Sequence, residues 1–215
     1  MLLTLAMIGV ALLALPAASS AEEIHLDKIT DFEGLGGGAT LSASGEPTIT
    51  CGGPDIIAGT VAFGGTTGTI ATNYTECHVI FIGMTLPCRT PGSVAENTIA
   101  ASGTFHLITW KNGSGAVFPA MLVTPKTIEI VCGGITKLTV EGNGVIGTIL
   151  SPACSAESKE VKLSFSAAGA TQSHMEYTGV KYDLKAKTLD NVQLTAGLTT
   201  AATIVSSVAG KLTCT

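Results

Sequence analysis

The side chains able to do chemistry are few and widely spaced. Six cysteines stand at Cys51, Cys77, Cys88, Cys132, Cys154 and Cys214. An even set with irregular spacing, behind an export-type leader, reads as three disulfides in an oxidising compartment. Metal is the rival use of cysteine, but neither C-x-x-C nor H-E-x-x-H occurs. Cys77-His78 with Cys88 comes closest to a ligand set, yet adjacent residues of a strand point to opposite faces. Cys77 and Cys88 flank a segment ending in Gly83-Met84-Thr85-Leu86-Pro87 that could turn back on itself. A local Cys77–Cys88 bridge is therefore the best single pairing, and the other four cysteines leave three pairings open.

Other chemistries find little support. No G-x-S-x-G elbow is present, and Asn112 before Gly113-Ser114-Gly115 makes that fragment a hairpin turn. Of the four histidines, His25, His78, His106 and His174, only His106 sits in a well-patterned strand, in phase with Thr104, Ile108 and Trp110. Glu129, Glu141 and Glu160 occupy polar phases singly, so no pair of carboxylates suggests a glycosidase. Calcium loops and phosphate-cradling glycine loops are missing too. Trp110, beside Lys111-Asn112-Gly113, is the residue best placed for a ligand contact, a sugar face above all. A core anchor is nevertheless the favoured reading of this single tryptophan. Asn73-Tyr74-Thr75 and Asn112-Gly113-Ser114 match the glycosylation pattern. No cofactor is implied.

The elements that carry these residues are strands. Val161, Leu163 and Phe165 share one face against Glu160, Lys162, Ser164 and Ser166; Leu138 and Val140 alternate likewise, as do Val180, Tyr182 and Leu184. Ile49-Thr50-Cys51, Ile130-Val131-Cys132 and Leu212-Thr213-Cys214 put each cysteine in phase with an apolar neighbour, hence inward. The chain has 26 glycines, abundant threonine, only 13% charged residues and 5% aromatics. That balance excludes helical bundles and coiled coils, while an ordinary apolar fraction with net charge −5 excludes disorder and a basic nucleic-acid binder. The predicted fold is all-β, an antiparallel sandwich or flattened barrel stapled by disulfides. Residues 22–46, rich in Gly, Ala and Ser, read as a flexible leader or edge-docking arm, and 47–215 as one β domain or two packed halves. Ile49 to Gly53 and Ile130 to Gly134 match, which chance explains best in a chain so rich in Gly, Thr and Ile; true duplication would pair Cys51 with Cys77 and Cys132 with Cys154.

Leu2 to Leu15 is an apolar run followed by Pro16 and small residues up to Ala21, with Glu22 and Glu23 the first charged side chains. This reads as a signal peptide over 1–21, too short for a comfortable membrane span. Its missing positive n-region leaves two readings, a weak signal or a true start upstream, of which the second is favoured. No second apolar run of spanning length follows. Ile49-Thr50-Cys51, then Cys88-Arg89-Thr90-Pro91-Gly92, then Cys132-Gly133-Gly134 leading to Glu141 through Gly147 resembles a group of secreted actinobacterial proteins without established activity. The resemblance spans about residues 47–165. It implies export and a β-rich fold, and assigns no residue a role. The leading expectation is a non-catalytic extracellular or cell-envelope interaction protein. An extracellular hydrolase assembled around His106 from sequence-distant groups is the alternative, and a weak carbohydrate-binding module using Trp110 is the second.

Overall fold

The computed structural model describes residues 24–27, 31–93, 95–111, 116–134 and 136–214. The leader over 1–21 and the Asn112-Gly113-Ser114 turn lie outside the described residues. The first strands are β1 (Ile24–Leu26), β2 (Asp31–Ala43), β3 (Ile49–Cys51), β4 (Asp55–Val61), β5 (Thr67–Tyr74), β6 (Cys77–Phe81) and β7 (Met84–Arg89). They are followed by β8 (Ile99–Lys111), β9 (Val117–Pro125), β10 (Ile128–Cys132), β11 (Thr136–Gly142), β12 (Val145–Ser151) and β13 (Glu157–Phe165). Four two-residue strands come next: β14 (Ala167–Ala168), β15 (Thr171–Gln172), β16 (Glu176–Tyr177) and β17 (Val180–Lys181). The last two are β18 (Leu184–Thr188) and β19 (Gln193–Cys214). No helix occurs among the described residues, in keeping with the composition.

The pairings close on themselves. One circuit runs β2-β4-β5-β8-β9-β12-β13-β19 and returns to β2; a second runs β2-β3-β6-β7-β10-β11-β18-β19 and also returns to β2. Both circuits have eight strands, every pairing in them is antiparallel, and they share the long strands β2 and β19. Along β2, residues 31–36 pair with β4 and residues 39–41 with β3, so the circuits are stacked along the strand direction. The result is one up-and-down barrel in two tiers. At the other six wall positions the two tiers are filled by different strands: β3 and β4, β5 and β6, β7 and β8, β9 and β10, and β11 and β12, each consecutive in the chain, and lastly β13 and β18. Eight strands give an interior just wide enough to be filled by side chains.

Alternation sends one face of each strand inward. Val61 and Ile57 of β4, Leu163 and Phe165 of β13, Leu138 and Val140 of β11, and Cys51 and Cys132 are all buried. They join a single core cluster that spans both tiers. Space for its aromatics comes from glycine. Phe32 lies directly opposite Gly59, and Phe105 opposite Gly68. A Cβ at Gly59 would come within 2.1 Å of Phe32, at Gly68 within 2.6 Å of Phe105, and at Gly147 within 2.6 Å of Phe165. Three inward glycines thus act as slots for three phenylalanine rings.

Four expectations are corrected. The bridges are Cys51–Cys77, Cys88–Cys132 and Cys154–Cys214, so the local Cys77–Cys88 pairing is wrong. Cys77 and Cys88 sit on neighbouring strands β6 and β7, but each is registered directly opposite a cysteine on its other flank, Cys51 and Cys132. The repeat-based pairing holds for Cys51–Cys77 and fails for Cys132, whose registered neighbour is Cys88 rather than Cys154. Residues 31–43 do not form a loose leader: β2 is hydrogen-bonded along both edges, and its glycines admit close neighbours rather than flexibility. Val180, Tyr182 and Leu184 do not share one strand, because the chain breaks between β17 and β18, leaving Val180 exposed and Leu184 in the core.

Between β13 and β18, residues 166–183 lie against the outer wall. Ile108, Ala120, Leu122 and Ile146, which face away from the barrel interior, are buried there with Trp110, Tyr177 and Tyr182 as a second small core. Where β13 has left β19 and β18 has not yet joined it, Gln172 fills the gap. Its Nε2 donates to Ser166 O at 2.9 Å and Leu198 O at 3.0 Å, and its Oε1 accepts from Leu198 N–H at 3.0 Å. Asn143, between β11 and β12, does the same, donating to Lys181 O at 2.7 Å and accepting from Asp183 N–H at 2.9 Å. Buried backbone groups require such partners; Gln172 supplies them inside the wall, and Asn143 ties the 166–183 segment to it at the surface.

Candidate functional site: the barrel interior around Asp55

At the waist the core leaves a cavity of about 110 Å³. Its walls are mainly aliphatic and aromatic, among them Leu41, Ile57, Ile70, Ile130, Val140 and Phe165. Against this apolar lining stands a small polar group made of Asp55, Thr72, Tyr74 and Thr200. Strand alternation places them: Asp55 shares the inward phase of β4 with Ile57 and Val61, and Thr72 and Tyr74 share that of β5 with Ile70. Thr200 enters from β19, opposite Ala39 of β2.

Asp55 is fully buried, at 0% exposure. The hydroxyl of Thr200 faces both Gly38 O at 3.1 Å and Asp55 Oδ2 at 3.4 Å, and its one proton serves the nearer carbonyl better. The backbone N–H groups of Gly38 and Thr75 also favour the carboxylate, but Oδ1 has no hydrogen-bond partner. Burial outweighs these hydrogen bonds and raises the Asp55 carboxyl above the ordinary aspartate value. Burial likewise raises the Tyr74 phenol, the charge of Asp55 raises it further, and a hydrogen bond with Thr72 opposes both. Gly36 is required here, since a Cβ would lie 2.7 Å from Asp55 Oδ2. An apolar chamber with one convergent polar spot is suited to holding a small molecule by one end.

The residues singled out from sequence lie elsewhere. Trp110 is half-buried on the outside of β8, with its ring 4.1 Å from that of His174 and 6.3 Å from that of Phe118. Burial lowers the His174 pKa from the usual histidine value. The segment 166–183 thus covers part of the face a sugar would stack on, and Trp110 anchors the second core. His106 is half-buried on the same outer face, and among the described residues it makes no hydrogen bond or ion pair to a hydroxyl or carboxylate. His78 Nδ1 lies 3.1 Å from Glu76 O, while Cys77 is bound to Cys51 and Cys88 to Cys132. Among the described residues, no three His, Cys, Asp or Glu side chains gather as a metal set would require. No helix there is long and apolar enough to cross a membrane.

No family model, curated protein or solved structure matches this chain. Its chemistry is read from its own atoms.

Sequence reasoning passed over Asp55, Thr72 and Thr200, and met Tyr74 only as part of a glycosylation pattern. A signal did exist: Asp55 stands in phase with Ile57 and Val61, where an apolar residue belongs. The meeting of Asp55 with Thr200, 145 residues away, has no local trace.

Proposed function

We propose that this is an exported protein of an oxidising compartment, extracellular or in the cell envelope, that acts by binding a small molecule inside its barrel rather than by catalysis. The carrying observation is the cavity at the waist, apolar except for Ser102 and the group around Asp55. The disulfides support the compartment, since all six cysteines are paired and the cytosol would keep them reduced. The apolar run up to Leu15, the small residues up to Ala21 and the resemblance to secreted actinobacterial proteins support export. The chain-entropy estimate for cross-links closing 26, 44 and 60 residues gives about 3.5, 4 and 4.3 kcal/mol. The three loops follow one another without overlap, so their effects combine simply.

Two measurements test this reading. Non-reducing peptide mapping of protein recovered outside the cytoplasm should return the three bridges, whereas free thiols on several cysteines would overturn the compartment. Xenon under pressure, followed by NMR of the folded chain, should shift methyl signals of Ile57, Ile70 and Val140. A barrel that takes up no xenon has no usable chamber, and the binding function falls with it.

A further inference from the structure

Three polar side chains that bond backbone groups differ in one respect. Gln172 uses both ends of its amide and Asn143 does the same. Asp55 leaves Oδ1 without a partner although the residue is fully buried and lines the cavity. A buried acceptor left bare is costly, more so when it carries charge. Nor does a counter-charge face it: the lining holds no lysine, arginine or histidine. The missing element is a hydrogen-bond donor, and a cationic one would cancel the charge as well.

Resting on the binding reading above, we propose that the cavity takes a compact primary amine, with its ammonium on Asp55 and its apolar body among Ile57, Ile70, Val140 and Phe165. The ammonium donates to the carboxylate, which must turn to bring Oδ1 to the chamber, since Oδ1 is sealed from a water-sized probe in the empty barrel. Its other two protons reach toward the oxygens gathered around the carboxylate, those of Thr200 and Tyr74. A charge-assisted bond of this kind is stronger than a neutral one. Size sets the class. An apolar cavity of roughly 150 Å³ accepts benzene or xenon, so about 110 Å³ suits a short branched alkyl group and excludes long chains. No covalent step is involved. The amine enters and leaves protonated, and bound ammonium keeps Asp55 ionised.

The test compares isobutylamine, isobutanol and xenon on the full folded chain by NMR titration at neutral pH. Isobutylamine should bind at least tenfold more tightly than isobutanol, shifting the methyl signals of the cavity lining. Asp55→Asn, which keeps the shape and removes the charge, should erase that tenfold preference and leave xenon uptake unchanged. If Asp55→Asn does not fold, the preference in the unaltered protein still decides. Isobutanol binding as tightly as isobutylamine, or xenon alone entering, overturns the amine inference and leaves the chamber standing. Failure of all three probes, xenon included, removes the chamber as well.

Discussion

Adding one methyl group at Gly147 should test the packing logic of the whole barrel. Its Cβ would meet three atoms of the Phe165 ring at 2.6, 2.7 and 2.8 Å. Ordinary contact begins near 3.4 Å, so the ring must retreat by about 0.6–0.8 Å or the wall must bend. Phe165 is buried and also lines the chamber, so the retreat takes space from the cavity. Overpacking of this kind costs about 1–3 kcal/mol. Gly147→Ala should therefore lose that much stability in urea unfolding followed by circular dichroism, and should reduce xenon uptake. Gly37→Ala is the control. It adds a Cβ on the exposed side of β2 with nothing within 4 Å, so it should be neutral or stabilise by up to about 1 kcal/mol. Combining Gly147→Ala with Phe165→Leu should cost less than the sum of the single changes, because the smaller side chain vacates the slot. If Gly147→Ala is as stable as the unaltered protein and the two changes add without coupling, the pairing of ring with glycine is not what shapes this core.

Further outcomes follow from the same structure. Cys154 is exposed while Cys51, Cys77, Cys88 and Cys132 are 0–6% exposed, so graded reductant should open Cys154–Cys214 first, as read by alkylation and mass spectrometry. Replacing both Cys88 and Cys132 with alanine should cost about 4 kcal/mol on the chain-entropy estimate. The raised pKa of Asp55 means the folded state holds its proton more tightly than the unfolded one. That contribution is present below the unfolded value near 3.8 and is lost as pH rises through the folded value. Asp55→Asn should therefore gain on the unaltered protein between about pH 4 and neutrality in urea titrations; a difference that shrinks over that range would refute the assignment. For His174 the sign is opposite, because burial lowers a base. Stability is present above its unfolded value of 6.5 and lost as pH falls, so acid should loosen 166–183 and change the fluorescence of Trp110, with His174→Phe abolishing the response.

The sequence disclosed the fold class because local alternation is a local property. Val161, Leu163 and Phe165 face inward as their spacing demands, and so do Leu138 and Val140. Closure into a ring is different in kind, since the partner of β2 is a strand more than 150 residues away and no periodicity announces it. Glycine misled for a physical reason. A run such as Gly36-Gly37-Gly38 has no side chains to pattern, and its use, letting Asp55 and the Cys51 carbonyl approach, belongs to the neighbours. Cysteine pairing failed likewise. Cys77 and Cys88 are close in sequence, but lateral register decides the bridge, and it gives each a different partner. The chamber residue Asp55 was legible as an oddity of phase; its open oxygen was not.

The sharing of β19 among four neighbours has a consequence for assembly. That strand pairs with β1, β2, β13 and β18, and through it β13 of one tier and β18 of the other are closed onto β2. Until it is in place neither circuit is closed, and the edges of β2 and β13 stay open to foreign strands. The wall must therefore be completed by contacts of high sequence separation, which form slowly and leave aggregation-prone intermediates. The two inter-strand bridges lie in the opposite regime: Cys51–Cys77 and Cys88–Cys132 each close within one stretch of the chain before the next begins. A polypeptide threading outward amino end first could lock these two bridges in turn, holding a half-built wall in register while the clasp is still to arrive.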